Sequence, residues 1–163
     1  MKKKTKDQAS AQYTSKSGKA PKLDEPVVGY MATAMPLHFL ADMSPQDLGK
    51  AQISGDVLTG LQEETSLSAQ AIADAVGVSK SKYYELIKQD RLSLKNLDAL
   101  ADFATLWQKG IEAFDDDQAI LSEWMQTRNT NLGGIKPIEL VSSRMGRREL
   151  EKAFSRIEHG LYG

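Results

Sequence analysis

From Val57 to the end of the chain, apolar residues recur at intervals of three and four, and no stretch alternates in the manner of a half-buried strand. That period restricts the body to helices packed on helices, so the expected fold class is all-α. The 163 residues are enough to bury a hydrophobic interior, as one domain or as two small ones sharing a core. The first clear helix start is Ser44-Pro45-Gln46-Asp47, with a serine cap, proline at the first helical position and an acid in the first turn. Gly55 is expected to end that helix, and Asp56 to cap the next, which carries Val57, Leu58 and Leu61. Residues 27–41 are apolar without a clean period, and a strand, a helix or an extended packing arm all remain open for them.

Residues 67–92 carry the most legible local pattern. Ser68 can cap a short helix containing Ile72, Ala73 and Val76; Gly77 and Val78 follow, and Ser79 can cap a second helix with Tyr83, Leu86 and Ile87 on one face. The pattern reads as a helix-turn-helix. Ala73 has to be small where the second helix crosses it, and Gly77 supplies the positive φ of the tight turn. The second helix leaves Lys80, Ser81, Lys82, Tyr84 and Lys88 available to phosphates and base edges, whereas Tyr83 should pack inward. Ser79 to Lys95 holds five basic residues against Glu85 and Asp90, a modest argument for DNA. A solvated helix face is the plainer alternative.

Ser93 is expected to cap a helix with Leu94, Leu97, Leu100, Ala101, Ala104 and Leu106 at its packing positions. Gly110 and Asp115-Asp116-Asp117 should interrupt the pattern before Ala119, Ile120, Trp124 and Met125 resume it. Three adjacent aspartates invite a metal reading, but consecutive side chains point in different directions. Acids just ahead of a helix serve its free N–H groups and its dipole. Trp107, Trp124, Phe103, Phe114 and Phe154 are read as core.

The formal net charge of −1 conceals a split, because residues 1–22 carry seven lysines against Asp7, while the rest of the chain is net acidic by seven. A basic, polar arm over residues 1–24 is expected to be disordered and to suit a nucleic-acid or acidic partner. The chain has no cysteine and two histidines, His38 and His159, which excludes disulfides, thiolate zinc sites, cysteine nucleophiles and a histidine-rich metal site. No apolar stretch follows the early lysines, so a signal peptide is not expected, and residues 27–41 are too short to span a bilayer. A soluble, cytoplasmic protein with no membrane partner is the expectation, and no cofactor, metal or catalytic set can be assembled.

The last 40 residues hold the sharpest wording: Trp124, then Asn129-Thr130-Asn131-Leu132-Gly133-Gly134, Lys136-Pro137-Ile138-Glu139-Leu140, Gly146, Leu150, Phe154 and Arg156-Ile157-Glu158-His159-Gly160-Leu161-Tyr162-Gly163. Leu132-Gly133-Gly134 should be a sharp loop, with Pro137 opening a short helix and Gly146 ending it. A final helix should run to about His159 and stop at a left-handed Gly160. Leu161-Tyr162-Gly163 then projects past a helix stop. Such an apolar, aromatic tip either folds onto its own core or inserts into something else. Arg144, Arg147 and Arg148 could bind nucleic acid, but partner contact or solvation is the preferred reading.

The run W…N-x-x-L-G-G-x-x-P-[IL]-x-L…G…L…R-I-E-H-G resembles the toxin-binding domain of the Xre/MbcA/ParS antitoxins, partners of RES-domain toxins, and the likeness extends over residues 57–163 with the helix-turn-helix upstream. The resemblance implies an antitoxin and not an enzyme, acting on a toxin that consumes NAD or transfers from it. By the family's motif, Arg156, Glu158, His159, Gly160, Leu161, Tyr162 and Gly163 would lie at or near the toxin's cofactor pocket, and Leu132, Gly133, Gly134 and Pro137 would shape the fold that presents them. Glu158 or the Gly163 carboxylate suits a basic pocket built for a diphosphate, and an aromatic can stack where a nicotinamide would.

These readings divide the chain into a basic arm (1–24), an N-terminal extension and possible dimerisation segment (25–55), a helix-turn-helix domain (56–110) and a toxin-binding domain (111–163). The expected function is neutralisation of a RES-domain toxin by occlusion of its active site, with repression of its own operon through operator DNA as a homodimer. A stand-alone helix-turn-helix regulator without a toxin is the alternative.

Overall fold

The computed structural model describes residues 37–161, and every regular element among them is helical. The α-helices are α1 (Leu37–Asp42), α2 (Pro45–Lys50), α3 (Asp56–Thr65), α4 (Ala69–Val76), α5 (Lys80–Ile87), α6 (Leu94–Ala113), α7 (Gln118–Gln126) and α8 (Arg144–Glu158). Two 3-10 segments, Thr130–Leu132 and Pro137–Ser142, join α7 to α8. The all-α expectation holds for these residues. The basic arm, residues 27–36, Tyr162 and Gly163 lie outside the described residues.

Serine caps set most of the helix starts. The hydroxyl oxygens of Ser44, Ser68, Ser79 and Ser93 accept from the backbone N–H three residues on, in α2, α4, α5 and α6 respectively. Each satisfies a donor the helix cannot satisfy itself, an effect worth about 1 kcal/mol per cap. Asp117 does the same for α7, its Oδ1 accepting from Ile120 N at 3.0 Å. The acid run is therefore a helix start preceded by a turn, with Asp115 and Asp116 in the left-handed region at φ 53° and 63°.

α6 is the spine. Its 20 residues extend about 30 Å at 1.5 Å per residue. Leu97, Leu100, Phe103, Ala104, Leu106 and Trp107 are buried along it, and α1, α2, α4, α7 and α8 all pack on it. α1 contributes Leu37 and Leu40 to this core, so the described end of the 27–41 segment is a helix. Helix α7 is tied to the amino-terminal half by a buried bond, in which the Ser122 hydroxyl donates to the Thr65 carbonyl at 2.8 Å. The aromatic reading holds: Phe103 and Trp107 are buried, and Trp124 sits between Phe114 and Phe154 with ring centroids 5.5 and 5.6 Å away.

Several boundaries differ from expectation, and three of them involve glycines. α2 ends at Lys50, not at Gly55. Gly55 instead precedes α3 where the chain passes against α5, its N–H donating to Gln89 O at 2.8 Å. A Cβ there would lie 1.8 Å from the Leu86 carbonyl oxygen. Gly110 does not interrupt α6; it sits inside the helix, where a Cβ would meet Leu121 and Phe154 at 2.9 and 3.0 Å. Gly146 does not end the short helix but lies in the first turn of α8. In each case glycine marks close packing, a pattern indistinguishable in sequence from a helix stop. Leu94, read as a packing residue, is 52% exposed, because the first residue of α6 extends beyond the core. Ile120, in the run expected to resume packing, is likewise exposed.

The 110/111 division falls inside α6, a single helix that packs on both halves. No helix among the described residues is long and apolar enough to cross a membrane.

Candidate nucleic-acid and partner surfaces

Helices α4 and α5 form the helix-turn-helix. Gly77 has φ 74°, Gly77 N donates to Asp74 O at 3.2 Å, and Val78 N donates to Ala73 O at 2.9 Å. This pair of bonds is a Schellman stop, which closes α4 and turns the chain into α5. Ala73 is fully buried, as is Ile72, while Tyr83 and Leu86 fill the space between the helices. The Tyr83 hydroxyl lies 3.2 Å from the Leu58 carbonyl and 3.0 Å from Gln62 Oε1, which ties α5 to α3.

Burial, and then the neighbouring Tyr84 phenol, pushes the Tyr83 hydroxyl above its ordinary value. A raised folded-state value means that Tyr83 adds its full share of stability below about pH 10, and that this share is lost as pH rises through the folded value. Tyr83→Phe removes the hydrogen bonds at a cost of about 1 kcal/mol and should also flatten the alkaline fall of a stability–pH curve. An unaltered alkaline limb in urea melts of the variant would show that another group causes it.

Lys80, Ser81, Lys82 and Tyr84 on α5, and Lys88 at its C-cap, are all exposed. Tyr84 stands edge-on to Tyr83, with centroids 5.5 Å apart at 78°, so the exposed ring is braced by a buried one. Lys82 Nζ lies 2.8 Å from Glu85 Oε2. The hydrogen bond, and then the charge of Lys82, holds the Glu85 carboxyl below its ordinary value.

The carboxy-terminal unit is built around α8. Leu150, Ala153 and Phe154 form its buried face, and Ile157 packs partly on the core. The helix closes with a second Schellman stop: Gly160 has φ 65°, Gly160 N donates to Ile157 O at 2.9 Å, and Leu161 N donates to Arg156 O at 2.8 Å. Arg156, Glu158, His159, Gly160 and Leu161 are all exposed, and Leu161 is 72% exposed. The His159 Nδ1 lies 2.7 Å from the Ser155 carbonyl, within the same last turn. The stop at Gly160 thus matches the expectation, and of the two fates open to the tip, Leu161 does not fold back onto the core.

The loop motif is a separate construction. Gly133 and Gly134 have φ 75° and 77°, and Asn129 pairs with Ile135 in an isolated antiparallel bridge. The Asn129 side chain accepts from Asn131 N at 2.9 Å, and Arg128 donates to the Gly134 carbonyl at 3.0 Å. Pro137 is buried and opens a 3-10 segment as expected, and Leu132 is partly buried against the core. The 3-10 segment meets α8 at its first turn, where Gly146 faces Leu140. Residues 156–161 lie at the other end of α8, about 20 Å along its axis. The 3-10 segment that Pro137 opens therefore packs against the start of the helix, and the helix carries the tip away from it.

Arg147 was read as a partner contact or as solvated, and the structure corrects this. Its Nε donates to Val141 O at 2.7 Å, one Nη donates to Ala75 O at 2.7 Å, and the other lies 3.5 Å from Asp102. A single guanidinium therefore joins the last turn of α4, the 3-10 segment and α6, and it faces the negative end of the α4 dipole. Arg147→Ala should cost about 2–3 kcal/mol, a fall in melting temperature of roughly 5–10 °C. Arg147→Lys should recover little, because an ammonium cannot span the two carbonyls. An alanine variant melting with the parent would refute the clamp. Arg144 and Arg148 are exposed. Among the described residues, no group of three or more His, Asp or Glu is placed to hold a metal ion.

Residues 109–160 match the family described as the antitoxin Xre/MbcA/ParS C-terminal toxin-binding domain. The matched segment runs from the last turns of α6 through the Gly160 stop, so the chain carries a toxin-binding domain of the Xre-type antitoxins behind a helix-turn-helix. No curated protein matches the chain.

Proposed function

We propose that this protein is an antitoxin that neutralises a RES-domain, NAD-consuming toxin by placing its carboxy-terminal segment in the toxin's active site. The observation that carries this reading is the end of α8. Within a toxin-binding family domain, the helix is closed by Gly160, and the next residue, Leu161, is apolar and exposed. Arg156, Glu158, His159 and Gly160 share that turn, and Tyr162 and Gly163 follow in the sequence. Glu158 suits cationic groups that hold a diphosphate, and the Tyr162 ring suits a nicotinamide or adenine slot. Leu132, Gly133, Gly134 and Pro137 act indirectly, by seating α8.

The experiment mixes the purified full chain with a RES-domain toxin and follows NAD loss. Near-stoichiometric suppression and co-elution from a sizing column are expected, and unimpeded NAD loss at excess antitoxin rejects the reading.

The same protein is proposed to repress its own operon as a homodimer, with α5 entering the major groove. Lys80, Lys82 and Lys88 would contact phosphates, and Ser81 and Tyr84 would contact sugar or base edges. The exposure of all five on, or at the cap of, the second helix of a helix-turn-helix supports this. It is also what a stand-alone regulator would show, and a toxin that escapes suppression beside an intact operator footprint would favour that reading. The proposed division of labour follows the four segments 1–24, 25–55, 56–110 and 111–163, with α6 shared by the last two.

A further inference from the structure

The DNA-reading role proposed for α5 leaves one exposed residue of that helix without a task, and the inference below rests on that role. At 100° per residue, Tyr83 and Leu86 define the buried face of α5. Opposite them lie Ser81 and the capping residue Lys88, with Tyr84 about 50° to one side and Glu85 about 50° to the other, all exposed. Lys80 and Lys82 stand on the flanks. A carboxylate therefore lies on the surface that would enter the groove, between Ser81 and Lys82.

Against phosphate that carboxylate is repulsive, so it weakens binding to DNA in general. Within the major groove the groups that reward it are exocyclic amino donors, cytosine N4 above all. Lys82 sits 2.8 Å from Oε2, which fixes the side chain and offsets part of the repulsion. The same bond favours the ionised carboxylate, which only accepts hydrogen bonds. Its second oxygen, Oε1, has no hydrogen-bond partner among the described residues, and the side chain is 65% exposed.

We propose that Glu85 is a specificity-determining residue that accepts a hydrogen bond from the N4 amino group of a cytosine in the major groove, with Lys82 as its positioning residue. A surface ion pair at spacing i, i+3 that only supports the helix would leave base preference unchanged.

The test uses the full chain and the variants E85A and E85Q. Each is incubated with a duplex pool whose central segment of about 20 base pairs is randomised, and the bound DNA is sequenced. Single-pair variants of the enriched duplex are then titrated by fluorescence anisotropy at fixed salt. The parent should enrich a C·G pair at one position of each half-site, and replacing that pair should weaken its binding about tenfold. E85A should lose preference at that position alone, to within about twofold, and should bind random duplex more tightly than the parent. E85Q should shift the preference there toward adenine. Retention of the parent's preference at every position by E85A overturns the proposal and leaves DNA binding by α5 standing. Enrichment of no sequence by the parent overturns both. Matching melting curves for the three proteins confirm that folding is unchanged.

Discussion

Removal of residues 159–163 is expected to abolish suppression of a RES-domain toxin while moving the melting temperature by no more than about 3 °C. The two halves of this expectation have different physical causes. His159, Gly160 and Leu161 are exposed, and their hydrogen bonds all run within the last turns of α8. Their loss frays a helix end in solvent, which costs under about 1 kcal/mol. The cut falls after Glu158 because Ile157 packs partly on the core, and removing it would confuse loss of contact with loss of fold. Under the proposed occlusion, suppression depends in contrast on a segment that would fill a cavity, and a missing plug would leave that cavity open to NAD. Leu161→Asp provides the complementary variant: it keeps the capped backbone and places a charge where an apolar contact is proposed. NAD loss and a thermal melt on the same samples separate the outcomes. Full suppression by the truncated chain would end the occlusion reading, and would move attention to the exposed Met145, Arg144 and Arg148 at the other end of α8.

Gly146→Ala is expected to destabilise the fold by about 3 kcal/mol, a fall in melting temperature of roughly 6–12 °C. In an ordinary helix the same change stabilises by up to about 1 kcal/mol. Here the added Cβ would lie 2.1 Å from the Leu140 carbonyl oxygen and within 2.9 Å of two more Leu140 backbone atoms. The obstacle is main chain, and it is held from both sides. Val141 is fully buried, and its carbonyl accepts from Arg147. Relief would require α8 to move off the 3-10 segment, weakening the clamp to α4 as well. A melting temperature at or above the parent's would show that this contact yields easily.

Legibility varied along the chain for reasons that individual residues show. Ser44, Ser68, Ser79, Ser93, Asp117 and Gly160 could be read directly, because a cap or stop depends on a few neighbouring residues and on the chemistry of one side chain. The helix-turn-helix was legible through Ala73, Gly77 and the spacing of Ile72, Val76, Tyr83 and Leu86. Gly55, Gly110 and Gly146 were misread as breaks, because a glycine that admits a neighbouring backbone or side chain looks the same in sequence as one that ends a helix. Arg147 was missed for a related reason: Ala75 lies 72 residues earlier in the chain, and no local pattern announces a guanidinium that will reach its carbonyl. Glu85 was counted only as a charge to subtract. Its place on the exposed face beside Lys82 appears once Tyr83 and Leu86 define the buried one.

Periodicity, capping chemistry and the wording of the last 40 residues suffice for the all-α class, the helix-turn-helix and the expectation of a toxin-binding end, because each is specified over a few turns of chain. The packing of α6 as a spine shared by both halves, the joining of α4 to α8 through Arg147 and the outward exposure of Leu161 all depend on contacts between distant residues. Those contacts come from close packing of side-chain volumes and from carbonyls that must find donors, conditions met only when the helices have docked.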